Sequence, residues 1–109
     1  MEKMKKEIAL DVASRIKFAR KEMGYTQELL AEKAEISTRH IHNLEAGTHM
    51  PGLHVLERIC TALHVSPAHI LTGEKDEFYK IKSMLELLDE SQRFIIEEII
   101  KIYIKQNIA

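Results

Sequence analysis

The sequence predicts an all-α protein, a bundle of five short helices with two more helices appended at its C-terminal end. Three observations predict it. Apolar residues recur three and four apart along most of the 109 residues, which is the period of a helix face. Helix-capping residues and turn glycines interrupt that period at short intervals. The chain holds four Gly, two Pro and no Trp, and its β-branched residues cluster only near the C-terminal end, which leans away from sheet.

Each element can be justified in order. DVASRIKFARKEM (11–23) carries Val12, Ile16, Ala19 and Met23 on one face. It predicts a first helix that nothing prevents from starting as early as Met4. Gly24 ends it. Thr26 is a good N-cap for a short second helix, and Glu28 suits the positive end of its dipole. A tight turn at Glu35-Ile36 leads to Ser37, the next N-cap. The third helix then runs from about Thr38 to Glu45 and stops at Ala46-Gly47. THMPG (48–52) is a loop, because Pro51 bars helix continuation. LHVLERICTAL (53–63) forms the fourth helix, with Leu53, Leu56, Cys60 and Leu63 on one face. Ser66-Pro67 opens the fifth, a cap followed by proline at the first helical position. It ends near Gly73. Residues 76–88 predict a sixth helix, with Phe78, Ile81, Leu85 and Leu88 in a stripe and Met84 beside it. Asp89 and Gln92 are spaced as a cap and its reciprocal partner, and the seventh helix runs to about Gln106. Two units follow, residues 1–73 and residues 74–109.

Composition excludes several classes. A single cysteine, Cys60, cannot close an internal disulfide. No apolar run reaches the roughly 18 residues of a membrane span, and the basic MEKMKKEIA start leads into no signal-peptide core. The expected location is the cytoplasm. Net charge is −1. Residues 1–73 hold ten Lys/Arg against nine Asp/Glu and all six His, while residues 74–109 hold six against eight. Any nucleic-acid face must come from local patterning.

The second helix, a short turn and a capped third helix together make a helix-turn-helix arrangement. The surrounding residues resemble the lambda-repressor-like (XRE/Cro-type) helix-turn-helix family. RIKFARKEMGYTQELLA (15–31) is similar to that family's first two helices, through Ile16, Arg20, Gly24, Gln27, Leu30 and Ala31. IS (36–37), Ile41 and LEAG (44–47) are similar to its turn and recognition helix. Pro51, Leu56, Leu63 and VSPAHIL (65–71) are similar to its last two helices. The resemblance covers residues 11–73 and makes the expected fold of that part a five-helix lambda-repressor-like DNA-binding domain. The two C-terminal helices fall outside it and are expected to be a dimerisation appendage, since the seventh is apolar on most sides.

That resemblance implies binding of double-stranded DNA, with the third helix in the major groove. Its base-reading positions fall on Thr38, Arg39 and Asn43, with His42 as a fourth. Arg39 can fork onto guanine O6 and N7, Asn43 can pair with adenine N6 and N7, and Thr38 can offer a methyl or a hydroxyl. The plain alternative is a solvated polar face. Gln27 matches a phosphate-holding position at the start of the second helix. Lys17, Thr26 and Ser37 are further phosphate candidates, and simple capping also accounts for Thr26 and Ser37. Arg20 and Glu45 match a pair that ties the first helix to the end of the third. Ile16, Ala31, Ile36, Ile41, Leu44, Leu56, Cys60, Leu63 and Ile70 are the expected core.

The chain departs from the family pattern in three places. Glu35 stands where the turn commonly has Gly, His64 replaces a helix-ending Gly, and the loop AGTHMPG lacks Lys and Arg. Either the turn at Glu35 shifts or a non-Gly residue adopts a left-handed conformation there, at about 1 kcal/mol. Fewer basic groups in the loop imply weaker non-specific binding and a shallower salt dependence.

The seventh helix is apolar on most sides: Phe94, Ile95, Ile96, Ile99, Ile100, Ile102, Tyr103 and Ile104. Such a helix needs cover. A second copy of the chain is the economical cover, and the expected dimer interface is Phe94, Ile95, Ile99, Ile102 and Tyr103. Folding back onto helices one and five, or binding another protein through the C-terminal helices, would also supply it. No metal or cofactor is expected. Among the histidines and the cysteine only Cys60–His64 has chelate spacing, and Cys60 sits on a core stripe. No motif of an enzyme appears. The function implied is a homodimeric, sequence-specific transcriptional regulator, most often a repressor, on a pseudo-palindromic operator. The alternative is a protein-interaction module on the same scaffold, such as an antitoxin or anti-repressor.

Overall fold

Helix α1 runs from Glu2 to Glu22, so it starts well before the residues whose periodicity first marks it. No residue in EKMKKEIAL competes with the helical backbone, and Ala9 is already buried. A computed structural model describes residues 2–75 and 77–107. Among these the fold is all-helical: α2 Gln27–Ala34, α3 Thr38–Glu45, α4 Leu53–Leu63, α5 Pro67–Thr72, α6 Tyr79–Glu86 and α7 Glu90–Asn107.

The caps form as their chemistry dictates. The hydroxyls of Thr26, Ser37 and Ser66 accept from the backbone N–H groups of Leu29, His40 and His69 at 3.0, 3.1 and 3.0 Å. Three helices end in the same left-handed motif, at Gly24, Glu35 and His64. At Glu35 (φ 56°) its own N–H reaches Glu32 O and the Ile36 N–H reaches Ala31 O. At His64 the partners are Thr61 O and, from Val65, Cys60 O. Both ends are Schellman motifs, and the two orphan carbonyls satisfied at each offset the Cβ strain. The turn does not shift; the side chain accepts the left-handed conformation. Glu35→Gly is therefore expected to raise stability by about 1 kcal/mol in urea unfolding.

The core lies inside the bundle formed by α1 to α5. Ile16, Leu30, Ile41, Leu44, Ile59, Leu63 and Ile70 are sealed from solvent, with Val12 and Cys60 beside them. Ala31 and Leu56 join them, and Ile36 packs against this cluster partly buried. Burial pushes the Cys60 thiol up to about 12, so this sulfur is packing material and not a nucleophile. Arg15 closes the bundle. Its Nη1 donates to the carbonyls of Ile70 and Leu71 at 3.0 and 3.2 Å, and a Cβ on Gly73 would lie 3.1 Å from the same guanidinium.

The last two helices add no buried residue to this core, although α6 lies against the bundle, where Tyr79 and Ser83 share a cleft with Thr61 and His64. Helix α6 is shorter than residues 76–88. Phe78 supplies no side-chain cap, tight turns at Leu87 and Leu88 end it, and Asp76 lies outside the described residues. Asp89 then starts α7 by the expected reciprocal pairing: its carboxylate accepts from the Gln92 N–H at 2.8 Å, and Gln92 Oε1 accepts from the Asp89 N–H at 3.0 Å. The bond from the Gln92 N–H, joined by the Ser91 hydroxyl donating to the same oxygen at 2.7 Å, holds the Asp89 carboxyl below the usual carboxylate range. Helix α7 does not pack back on α1 or α5, and no described residue of α6 or α7 is buried. The radius of gyration is 17.2 Å, against about 13 Å for a compact chain of this length. The excess comes from this projecting appendage.

Candidate nucleic-acid interface

Helix α3 is held by two residues and exposes the rest. Ile41 and Leu44 point into the core with almost no exposure. Thr38, Arg39 and His42 are exposed on the other side, and Asn43 is half-buried. Spacings of one, four and five residues put these four on one face of one helix. Among the described residues, neither the Arg39 guanidinium nor the Asn43 side chain has an intramolecular hydrogen-bond partner. Their donors are available to a ligand, and their planar groups suit bidentate contact with base edges.

The far end of α3 is fixed by charge. Arg20 Nε and Nη2 fork onto the two oxygens of Glu45 at 2.7 and 2.9 Å, and Nη1 donates to the Tyr25 carbonyl at 2.7 Å. Both side chains are almost fully buried, 10% and 3% exposed. The hydrogen bond to Glu45 holds the Arg20 guanidinium above its ordinary value. The pair sets the angle of α3 relative to α1, so it positions the reading face without belonging to it.

Gln27 is less simple than its sequence position implies. Its Nε2 donates to Glu45 Oε1 at 3.2 Å, which makes it a third donor on the same carboxylate. Only its second amide hydrogen and its backbone N–H, at the start of α2, are left for a phosphate. Thr26 and Ser37 are occupied as caps, and Lys17 is exposed on α1 one turn before Arg20.

Sequence reasoning missed one feature. A cleft of about 290 Å³ lies between α3 and the start of α4, lined by His40, Asn43, Leu44, His49, Met50 and Gly52. It adjoins the reading face through Asn43. The only local signal was the run of histidines around it. The approach of loop to helix depends on the turn at Gly47 (φ +77°), where a Cβ would fall 2.7 Å from Leu10 Cδ2.

A buried bundle that presents a braced, polar helix beside a capped helix N-terminus is a nucleic-acid-reading scaffold of the helix-turn-helix class. Comparison with known proteins agrees. Residues 16–70 match the family described as Helix-turn-helix, and the chain belongs to that family, in its XRE-type, lambda-repressor-like form. It is similar to the HTH-type transcriptional regulator SinR of Bacillus licheniformis, 39% identical over 67 residues, covering 61% of this chain and 60% of the relative. It is also similar to the immunity repressor protein of Bacillus phage phi105, 37% identical over 65 residues, covering 60% of this chain and 45% of the relative. The HTH-type transcriptional regulator ImmR of Bacillus subtilis (strain 168) is 31% identical over 90 residues, covering 83% of this chain and 68% of the relative. The chain thus spans less than two thirds of the length of SinR and of the phage repressor. The family is a DNA-binding one and not a family of enzymes. No helix among the described residues is long and apolar enough to cross a membrane.

Proposed function

We propose that this chain is a cytoplasmic, sequence-specific DNA-binding regulator that represses transcription as a homodimer on a pseudo-palindromic operator. The observation that carries the reading is the face of α3. Thr38, Arg39, His42 and Asn43 project from a helix whose other side is locked into the core and whose end is pinned by Arg20 and Glu45. The names of the relatives, regulators and repressors, support the regulatory role. In this reading residues 1–73 bind DNA, with Gln27, Lys17, Thr26 and Ser37 near phosphates. Residues 74–109 pair two copies through α7, so that two recognition helices meet the same side of the duplex about 34 Å apart. Repression then follows from occlusion of the promoter.

The test is selection of bound duplexes from a randomised pool, with Arg39→Ala beside the wild type. A two-fold symmetric sequence should be enriched. Arg39→Ala should lose about 1–3 kcal/mol of discrimination, and with it a guanine preference in both half-sites. No enrichment at low salt by folded protein would sink base reading. It would leave α7, which has no buried residue among those described, as the site of a different protein partner.

A further inference from the structure

We infer that α7 pairs antiparallel with α7 of a second copy, in a register where Glu98 of each chain meets Lys105 of the other. The inference rests on the homodimer reading above and adds its orientation and the residues that select it. Gln92, Ile95, Ile99, Ile102 and Gln106 follow one another at alternating three- and four-residue steps, the spacing of a coiled-coil seam. Ile95, Ile99 and Ile102 are each more than half exposed, so no described residue of their own chain covers that seam. One flank of it carries Glu98 and Lys105, one heptad apart. The other flank carries Ile96 and Tyr103, also one heptad apart.

The two orientations bring different residues together. Parallel helices set Glu98 beside Tyr103 of the other copy, and like turns against like. Residues 89–98 hold four carboxylates and one Arg, while residues 99–107 hold two Lys and no acid, so a parallel pair repels itself at both ends. Antiparallel helices bring equal flanks together. With Ile99 on Ile102 of the other copy and Ile95 on its Gln106, Glu98 meets Lys105 and Ile96 meets Tyr103. Each contact is made twice across the two-fold. In the free chain Glu98 holds only Lys101, at 3.4 Å in an exposed pair, which contributes little. Lys105 has no ion-pair partner among the described residues. Spacing points the same way. At roughly 1.5 Å per residue, this register separates the starts of the two α7 helices by about 30 Å along the pair. Parallel pairing leaves them about 8–10 Å apart. Bundles carried at opposite ends of the pair approach the roughly 34 Å repeat of one DNA turn.

The experiment uses the full chain in two cysteine forms, Ile95→Cys and Gln106→Cys. Neither position is buried in the bundle, and wild type controls for Cys60, which is sealed in the core. Each form and their equimolar mixture are oxidised, and the linked peptides are identified by mass. A disulfide needs Cα atoms within about 7 Å. The mixture should link residue 95 to residue 106. Neither form alone should link to itself, because the register holds equal residues about 16 Å apart along the pair. Sedimentation supplies a second readout. Lys105→Glu should weaken self-association about tenfold, and adding Glu98→Lys to the same chain should restore it. Self-linking of Ile95→Cys means a parallel seam and overturns the proposal while the dimer stands. A dimeric mixture without the 95–106 link, or a Lys105→Glu protein that associates as wild type does, overturns it too. A wild type that stays monomeric at every concentration overturns the homodimer reading, and the orientation with it.

Discussion

Arg20→Ala should cost about 3–5 kcal/mol of folding stability, the range for removing one partner of a buried ion pair. Among the described residues, the Glu45 carboxylate, 3% exposed, would keep Gln27 as its only side-chain donor, and the Tyr25 carbonyl would lose the Arg20 Nη1 donor. Lysine cannot rescue this site. Its ammonium is a point charge and cannot span Oε1, Oε2 and the Tyr25 carbonyl as the guanidinium fork does. Arg20→Lys should therefore recover only part of the loss. Replacing both partners with apolar residues of similar size, Arg20→Met with Glu45→Leu, should cost much less than Arg20→Ala alone, because no charge is stranded. Urea unfolding of the four proteins checks this, with stability read from the midpoint at constant slope. A loss below about 1 kcal/mol for Arg20→Ala, the size of an exposed pair, would mean that the pair does not organise α3.

That pair also marks a boundary of what the sequence alone makes legible. Caps are local. Thr26, Ser37, Ser66 and Asp89 could be placed because the hydroxyl or carboxylate and the N–H it meets are three residues apart. The pairing of Arg20 with Glu45, twenty-five residues away, came only through family resemblance, and the third donor, Gln27, did not come at all. A donor shared among three elements depends on how α1, α2 and α3 converge, which no spacing encodes. The same holds for the cleft of His40 and His49, where the histidines were visible but their approach around Gly47 was not. The start of α1 was hidden for the opposite reason. Residues 2–10 contain nothing that caps or breaks a helix, so periodicity had no edge to find. The departures Glu35 and His64 were legible as strain. That the turn would keep its left-handed shape follows from backbone bonds to Ala31, Glu32, Cys60 and Thr61, which any residue with an N–H can make.

Ile99→Glu is expected to dissociate the proposed homodimer without unfolding the α1–α5 bundle. The apolar residues of α7 cover rather more than half of its circumference, with Glu97, Glu98, Lys101 and Lys105 on the remainder. Ile95, Ile99 and Ile102 line the middle of one stripe, 58%, 60% and 57% exposed. A contiguous patch of this kind is rare on a monomer. Burying one such side chain contributes about 1.5–3 kcal/mol. A two-fold interface contains every substitution twice, and a glutamate there must also bury its charge or be expelled. The dimer dissociation constant should rise at least about a hundredfold, since each 1.4 kcal/mol is tenfold. Helix α7 contributes no buried residue to the bundle, so the α1–α5 unfolding midpoint should move only as far as dimerisation itself had raised it. Sedimentation of wild type and variant across a concentration series reads the first effect, and urea unfolding at low protein concentration reads the second. The Ile99→Glu monomer should keep the half-site reading face and lose the avidity of two linked half-sites, so it should bind the full operator little better than a single half-site. An Ile99→Glu protein that stays dimeric would move the interface off this stripe. A wild type that sediments as a monomer at every concentration would leave α7 uncovered by its own kind and point to a heterologous partner.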